Sequence, residues 1–291
     1  MRKTSKSLRE IISSGGMARV MAAHDPLSAR LVEEAGFDAI WASGFEISAA
    51  MGLADVSLVS MTQHLDNMRR MADRSSLPIV ADVDTGYGNA VNVIFTVKQF
   101  EAAGASAVVI EDKAFPKVTS LIAGGRQDLL PISENQGKIE AAVSAQQDPD
   151  FLVIARVEAL IAGRGEAEAL ERAHAYEAAG ADMILIHSKE KTPDEIESFI
   201  HGWTGSVPIV IVPTAYPQMT EARAKSLKKV GMLIYGNHAI RAAVTGMQKV
   251  FAQIIADGGI ETVNDEIVPV SEIFRLQDMD MVKQIETQFL R

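Results

Sequence analysis

Four apolar runs in this chain end in side chains that carry charge or move protons. They are Pro78-Ile-Val-Ala-Asp82-Val-Asp84, Ala107-Val-Val-Ile-Glu111-Asp112-Lys113, Phe151-Leu-Val-Ile-Ala-Arg156-Val-Glu158 and Met183-Ile-Leu-Ile-His187. A charge beside a dry core is costly unless it is paired or bound to something. If each run is a parallel strand, the charged ends meet at one face of the sheet, and a ligand there is the simplest cause.

The residue types narrow the chemistry. Asp82 and Asp84 are two apart, so on a strand their carboxylates point the same way. Glu111 ends the next strand. Three carboxylates at one mouth repel unless a cation sits among them, and oxygen-only ligands favour Mg²⁺ or Mn²⁺ over Zn²⁺. The structural alternative is that Asp84 caps the Thr85-Gly86 turn and Glu111 pairs with Lys113. Arg156 at a strand end suits a phosphate, phosphonate or carboxylate, or else an ion pair with Glu158. His187 fits a substrate anion, an acid or a hydrogen-bonded structural role. Thr85-Gly-Tyr-Gly-Asn89 allows close backbone approach and then a helix start at Asn89. Ser43-Gly44 offers a weaker version, and Asn237-His238 reads as a helix cap.

An internal echo sets the elements that position these groups. Glu33-Glu-Ala-Gly36, Glu101-Ala-Ala-Gly104 and Glu177-Ala-Ala-Gly180 each precede an apolar run, with a weaker copy at Lys229-Val-Gly231. Each reads as a helix end, a left-handed Gly and a buried strand. Eight strands are predicted near 18–23, 38–43, 77–83, 107–112, 151–157, 183–187, 208–213 and 232–236. Helices are predicted between them, including 90–103, 132–146, 166–179 and 193–203. The alternation predicts a single (β/α)8 TIM barrel spanning 1–291. The alternative is a doubly wound open sheet, although no Gly-x-Gly-x-x-Gly follows the first strand. Residues 114–131 lack a clean period and read as a lid hinged at Gly124-Gly125. Residues 258–291 form a helical extension whose Ile273, Phe274, Leu276, Met281, Ile285 and Phe289 need a covering surface, such as a second subunit.

Composition removes several function classes. The 291 residues carry a net charge of −10, which disfavours nucleic acid as a partner. Cys is absent, so disulfides, thiolate nucleophiles and Cys-bound zinc are excluded. No run is long and apolar enough for a membrane span, and Met1–Arg9 lacks a secretory apolar core. A cytoplasmic protein with no membrane partner is expected.

The motifs together resemble the phosphoenolpyruvate mutase/phosphonopyruvate hydrolase group of the isocitrate lyase superfamily. They are Ala23-His-Asp-Pro-Leu-Ser-Ala29, Ile40-Trp-Ala-Ser-Gly44, Asp82-Val-Asp-Thr-Gly-Tyr-Gly-Asn89, Glu111-Asp-Lys-Ala-Phe-Pro-Lys117, Ala155-Arg-Val-Glu-Ala159, His187-Ser-Lys189 and Val212-Pro-Thr214. The resemblance implies a TIM barrel with a C-terminal helix swapped between subunits, as a homodimer or homotetramer. It implies Mg²⁺ at Asp82, Asp84 and Glu111, with Mn²⁺ or Co²⁺ as substitutes. It places substrate contacts at Trp41, Ser43, Gly44, Phe45, Asp82, Arg156 and His187, and catalytic roles at Thr119, Arg156, His187, Asp55 and Lys117. The expected substrate is a small anion, phosphonopyruvate. The lyase branches carry a lid Cys within Lys-Lys-Cys-Gly, where this chain has Lys117-Val-Thr-Ser120. Mutases resemble Lys-x-Asn-Ser there and hydrolases Lys-x-Thr-Ser, so Thr119 implies P–C bond hydrolysis, with phosphoenolpyruvate mutase as the alternative.

Overall fold

The computed structural model describes residues 7–120, 122 and 124–291. The reading of residues 1–6, and of Leu121 and Ala123 in the expected lid, therefore lies outside the described residues. Eight strands run β1 (Ala18–Ala23), β2 (Ala39–Ala42), β3 (Ile79–Asp82), β4 (Ala107–Glu111), β5 (Leu152–Val157), β6 (Met183–Ile186), β7 (Ile209–Ile211) and β8 (Val230–Tyr235). All pair in parallel in chain order, and β8 returns to β1 to close the barrel. The helices are α1 (Leu8–Ser13), α2 (Pro26–Glu34), α3 (Gly44–Ala50), α4 (Met61–Arg74), α5 (Ala90–Ala102), α6 (Ile132–Ala145), α7 (Gly165–Ala178), α8 (Asp194–Gly202), α9 (Glu221–Ser226), α10 (His238–Asp257), α11 (Val270–Leu276) and α12 (Met279–Phe289). The expected TIM barrel is the observed fold, and the open sheet is not.

The period of two along each strand divides the core. Val20, Ala39, Trp41, Val80, Ala107, Val109, Leu152, Ile154, Met183, Leu185, Val210 and Ile234 form a cluster inside the barrel. Their neighbours Ile40, Ala81, Val108, Val153, Ile184 and Ile209 join the core beneath the helices. Extending the inner rows by two residues reaches Asp82, Glu111, Arg156 and His187. Parity alone therefore aims these side chains into the mouth of the barrel. Leu8 on α1, 1% exposed, belongs to the inner cluster, and Arg9 next to it donates to Phe151 O and Asp182 Oδ1, both at 2.9 Å.

Gly36, Gly104 and Gly180 have φ of +81°, +100° and +96°, as the helix-end echo predicts. The fourth copy is different. Lys228, not Gly231, holds the left-handed position after α9, with φ +59°. Gly231 lies inside β8, where a Cβ would meet Pro208 Cβ at 2.8 Å and Met183 Cε at 3.0 Å. The glycine there is required by close strand packing rather than by a turn.

The chain divides into two compact units, Met1–Ala239 and Ile240–Arg291. The expected extension 258–291 falls in the second. Within that unit α11 packs on α12, Val263 and Leu276 are buried, and Phe274, Met281, Ile285 and Phe289 are exposed. Among the described residues no helix is long and apolar enough to cross a membrane.

Candidate active site

One pocket at the C-terminal ends of the strands collects most of the expected site residues. Trp41, Ser43, Phe45, Asp55, Asp82, Lys117, Thr119, Arg156 and His187 line it, together with Ser120, Val212, Thr214, Gly236 and Asn237. Gly44, Asp84 and Glu111 stand behind this lining. A Cβ on Gly44 would lie 3.1 Å from Asp82 Oδ2 and 3.2 Å from Asp84 Oδ1, so the two carboxylates converge on its backbone. Gly44 N–H donates to Asp82 Oδ2 at 3.2 Å.

Asp82 and Asp84 do not converge by strand alternation. β3 ends at Asp82, and Asp84 has φ +50° in the left-handed region. Its N–H donates to Asp82 Oδ1 at 3.2 Å, which folds the turn back toward the strand end. Lys117 then reaches in from the segment after β4, with Nζ 2.7 Å from Asp84 Oδ1 and 3.0 Å from Asp55 Oδ1. Burial pushes the Asp84 carboxyl up to about 7; Lys117 opposes the shift, and Asp82, Asp55 and Glu111 add to it. Burial disfavours the Lys117 ammonium, but Asp84, Glu111, Asp82 and Asp55 outweigh burial and hold its pKa well above the usual lysine value.

Glu111 does not pair with Lys113. Lys113 Nζ lies 3.1 Å from Glu158 Oε2, whereas Glu111 Oε2 has Arg156 Nε at 3.4 Å. Among the described residues no hydrogen-bond donor reaches either buried Glu111 oxygen, nor Asp84 Oδ1 apart from its ion pair. Asp55, Asp82, Asp84, Glu111 and Glu158 outnumber Lys113, Lys117 and Arg156, so the site has room for added positive charge. Among the described residues no three Asp, Glu or His side chains form a ready metal cage. Mg²⁺ needs no such cage, because it keeps several waters and takes one or two carboxylates directly. The donor set and its unpaired oxygens fit a hard divalent cation.

Across the mouth lies Glu158, which the sequence suggests only as a partner for Arg156. Glu158 is fully buried. Its Oε1 accepts from Arg156 Nε at 2.5 Å, and its Oε2 accepts from Ser120 Oγ at 2.6 Å. His187 Nδ1 lies 3.2 Å from Glu158 Oε1 and 3.0 Å from Arg156 Nη2. Burial opposes ionisation of Glu158, but Arg156, Lys113 and His187 hold its carboxyl well below the usual range. Burial, with Arg156 and Lys113, lowers the His187 pKa, and Glu158 opposes the shift. The Arg156–Glu158 pair is thus present, and it aims the guanidinium rather than consuming it. Signals for Glu158 and Ser120 were available: Glu158 repeats the inward parity of Arg156, and Ser120 adjoins Thr119.

An enzyme-type barrel site follows, with an acidic, cation-ready side facing an Arg-His side suited to an oxyanion. The chain belongs to the phosphoenolpyruvate phosphomutase family, whose model matches residues 8–255. It is 56% identical over 287 residues to a phosphonopyruvate hydrolase of Variovorax sp. (strain Pal2), covering 99% of each chain. It is 46% identical to a phosphoenolpyruvate phosphomutase of Tetrahymena pyriformis, over 99% of this chain and 96% of that one. A crystal structure of a phosphonopyruvate hydrolase in complex with oxalate and Mg²⁺ superposes with a TM-score of 0.94 at 54% identity, covering 99% of this chain and 100% of the other.

Behind the acidic side, His64 Nδ1 meets Tyr87 OH at 2.6 Å. Burial lowers His64 to about 4, with Asp82 and Asp55 opposing the shift and Lys117 aiding it. Between about pH 4 and 6.5 the unfolded chain therefore binds a proton that the folded chain rejects. Stability contributed by neutral His64 is present above pH 6.5 and is lost as pH falls toward 4. Urea unfolding across this window is expected to show a slope of up to about 1.4 kcal/mol per pH unit from this group, and the slope should flatten in His64→Gln. An unchanged slope in the variant contradicts the assignment.

Proposed function

We propose that this protein hydrolyses the P–C bond of phosphonopyruvate to pyruvate and phosphate. The observation that carries the reading is Thr119. It lines the same pocket as Arg156 and His187, in the segment after β4, and among the described residues no hydrogen bond engages its hydroxyl. The 56% identity to a phosphonopyruvate hydrolase supports the same reading.

In this reading Asp82, Asp84 and Glu111 hold Mg²⁺, with Mn²⁺ or Co²⁺ able to replace it. When bound, the cation supplies positive charge that stabilises pyruvate enolate as a leaving group. Trp41, Ser43, Gly44 and Phe45 enclose the pyruvyl end. Arg156, aimed by Glu158, and His187 hold the phosphonyl oxygens. Lys117, anchored by Asp55 and Asp84, brings the lid to the site. Thr119 then directs water at phosphorus or takes the phosphoryl group and passes it to water. The P–C electron pair goes to carbon, phosphorus gains the water oxygen, and the enolate takes a proton to become pyruvate. An Asn in place of Thr119 would orient the phosphoryl group without accepting it, which is the route back to phosphoenolpyruvate.

The exposed apolar residues of α11 and α12 support a homodimer or homotetramer with the C-terminal helix exchanged between subunits. A cytoplasmic location is part of this reading, and activity released with the extracytoplasmic fraction would contradict it. For the assembly, light scattering at micromolar concentration should give a multiple of the 31.4 kDa chain mass; a monomer overturns this part.

For the reaction, phosphate release from phosphonopyruvate should stop on chelation and return with Mg²⁺. Thr119→Ala should lower kcat by the equivalent of about 2–4 kcal/mol of barrier with KM little changed, the mark of an interaction made in the transition state. Wild-type phosphate release by Thr119→Ala removes Thr119 from the mechanism.

A further inference from the structure

The segment joining β4 to α6 is tied to itself as well as to the site. Ala114 N–H donates to Asp128 O and Leu130 N–H to Asp112 O, both at 2.9 Å, and Lys113 pairs with Leu129 in an antiparallel bridge. This ribbon closes the base of the loop. Farther out, Gly125 sits where a Cβ would lie 2.5 Å from Ile122 Cγ2 and 3.2 Å from Val118 Cγ1, so the loop folds compactly on those side chains. Gln127 lies beside them, and its Nε2 donates to Thr119 O at 3.1 Å.

Each neighbour of Thr119 has its own tether to the barrel. Val118 O accepts from Lys113 Nζ at 2.8 Å, and Ser120 Oγ bonds Lys113, Glu158 and Arg156. Thr119 itself is held, among the described residues, only by Gln127. Among the described residues no donor reaches the buried Gln127 amide oxygen. A leucine of similar shape would bury no unpaired oxygen, so packing alone disfavours glutamine here. The side chain is explained by what its N–H holds.

We infer that Gln127 is a positioning residue for Thr119: its amide fixes the Thr119 backbone and so sets where the hydroxyl meets the phosphoryl group. The inference rests on the hydrolase reading. Gln127 acts through Thr119 and touches no reacting atom.

The test is a double-mutant cycle on the full-length, Mg²⁺-supplemented protein. Gln127→Leu and Gln127→Glu both remove the N–H. Each is expected to lower kcat roughly 3- to 10-fold, the scale of one lost hydrogen bond, with KM within about twofold. The Tm of Gln127→Leu should stay level or rise. Added to Thr119→Ala, Gln127→Leu should cost nothing further, because the group it positions is gone. Wild-type kcat in Gln127→Leu, or a full additive loss in the double variant, overturns the inference. Deuterium exchange of the peptide covering 114–131 separates this inference from the activity itself. Gln127→Leu should exchange faster there even if the wild type releases no phosphate, which would sink the hydrolase reading alone. Unchanged exchange would sink the role of Gln127.

Discussion

The Glu158 carboxylate is buried completely, and three strands and the segment after β4 meet on it. Removing such a charge from water costs several kcal/mol, which is offset only if the partners are close and well aligned. Here Arg156, Lys113, Ser120 and His187 supply that set, from β5, the ends of β4 and β6, and the segment that carries Thr119. The backbone beneath is held just as firmly. Glu158 N–H donates to Asp112 Oδ1 at 2.9 Å, while Asp112 Oδ2 takes Arg172 Nη1 at 3.1 Å and Tyr176 OH at 2.9 Å from α7. Arg172 Nη1 also donates to Leu130 O at 3.0 Å, so the network that fixes Glu158 also secures the far end of the segment between β4 and α6.

This arrangement makes the two sides of the mouth unequal. On the Glu158 side each carboxylate oxygen has its donor, and the Arg156 guanidinium is aimed before any substrate arrives. On the Asp84 side burial and crowding raise proton affinity, and among the described residues the Glu111 oxygens lack donors. One side is complete without a ligand and the other is not. A divalent cation and an oxyanion bound together would balance both, and Lys117 bridges the incomplete side to the segment after β4.

Much of this was legible in the sequence because β-strand parity is strict. Asp82, Glu111, Arg156 and His187 each extend an inward row, so their convergence needed only the eight-strand count. Gly36, Gly104 and Gly180 marked helix ends because a left-handed residue is needed there. What stayed hidden depends on backbone outside that period. Asp84 lies past the strand end in a left-handed turn, so its approach to Asp82 could not follow from alternation. Gly231 imitates a helix end but answers a packing constraint from Pro208 and Met183. The Lys117–Asp84 and Lys113–Glu158 pairs join residues distant along the chain, and local spacing suggested a Glu111–Lys113 pair instead.

The central claim is that a phosphoryl group held by Arg156 and His187 leaves carbon for water rather than for the enolate oxygen. Phosphorus NMR of phosphonopyruvate incubated with the Mg²⁺-supplemented protein follows both fates in one sample. The account predicts a growing inorganic phosphate resonance with no phosphoenolpyruvate. A phosphoenolpyruvate resonance that approaches equilibrium with the substrate, with no phosphate formed, would contradict it.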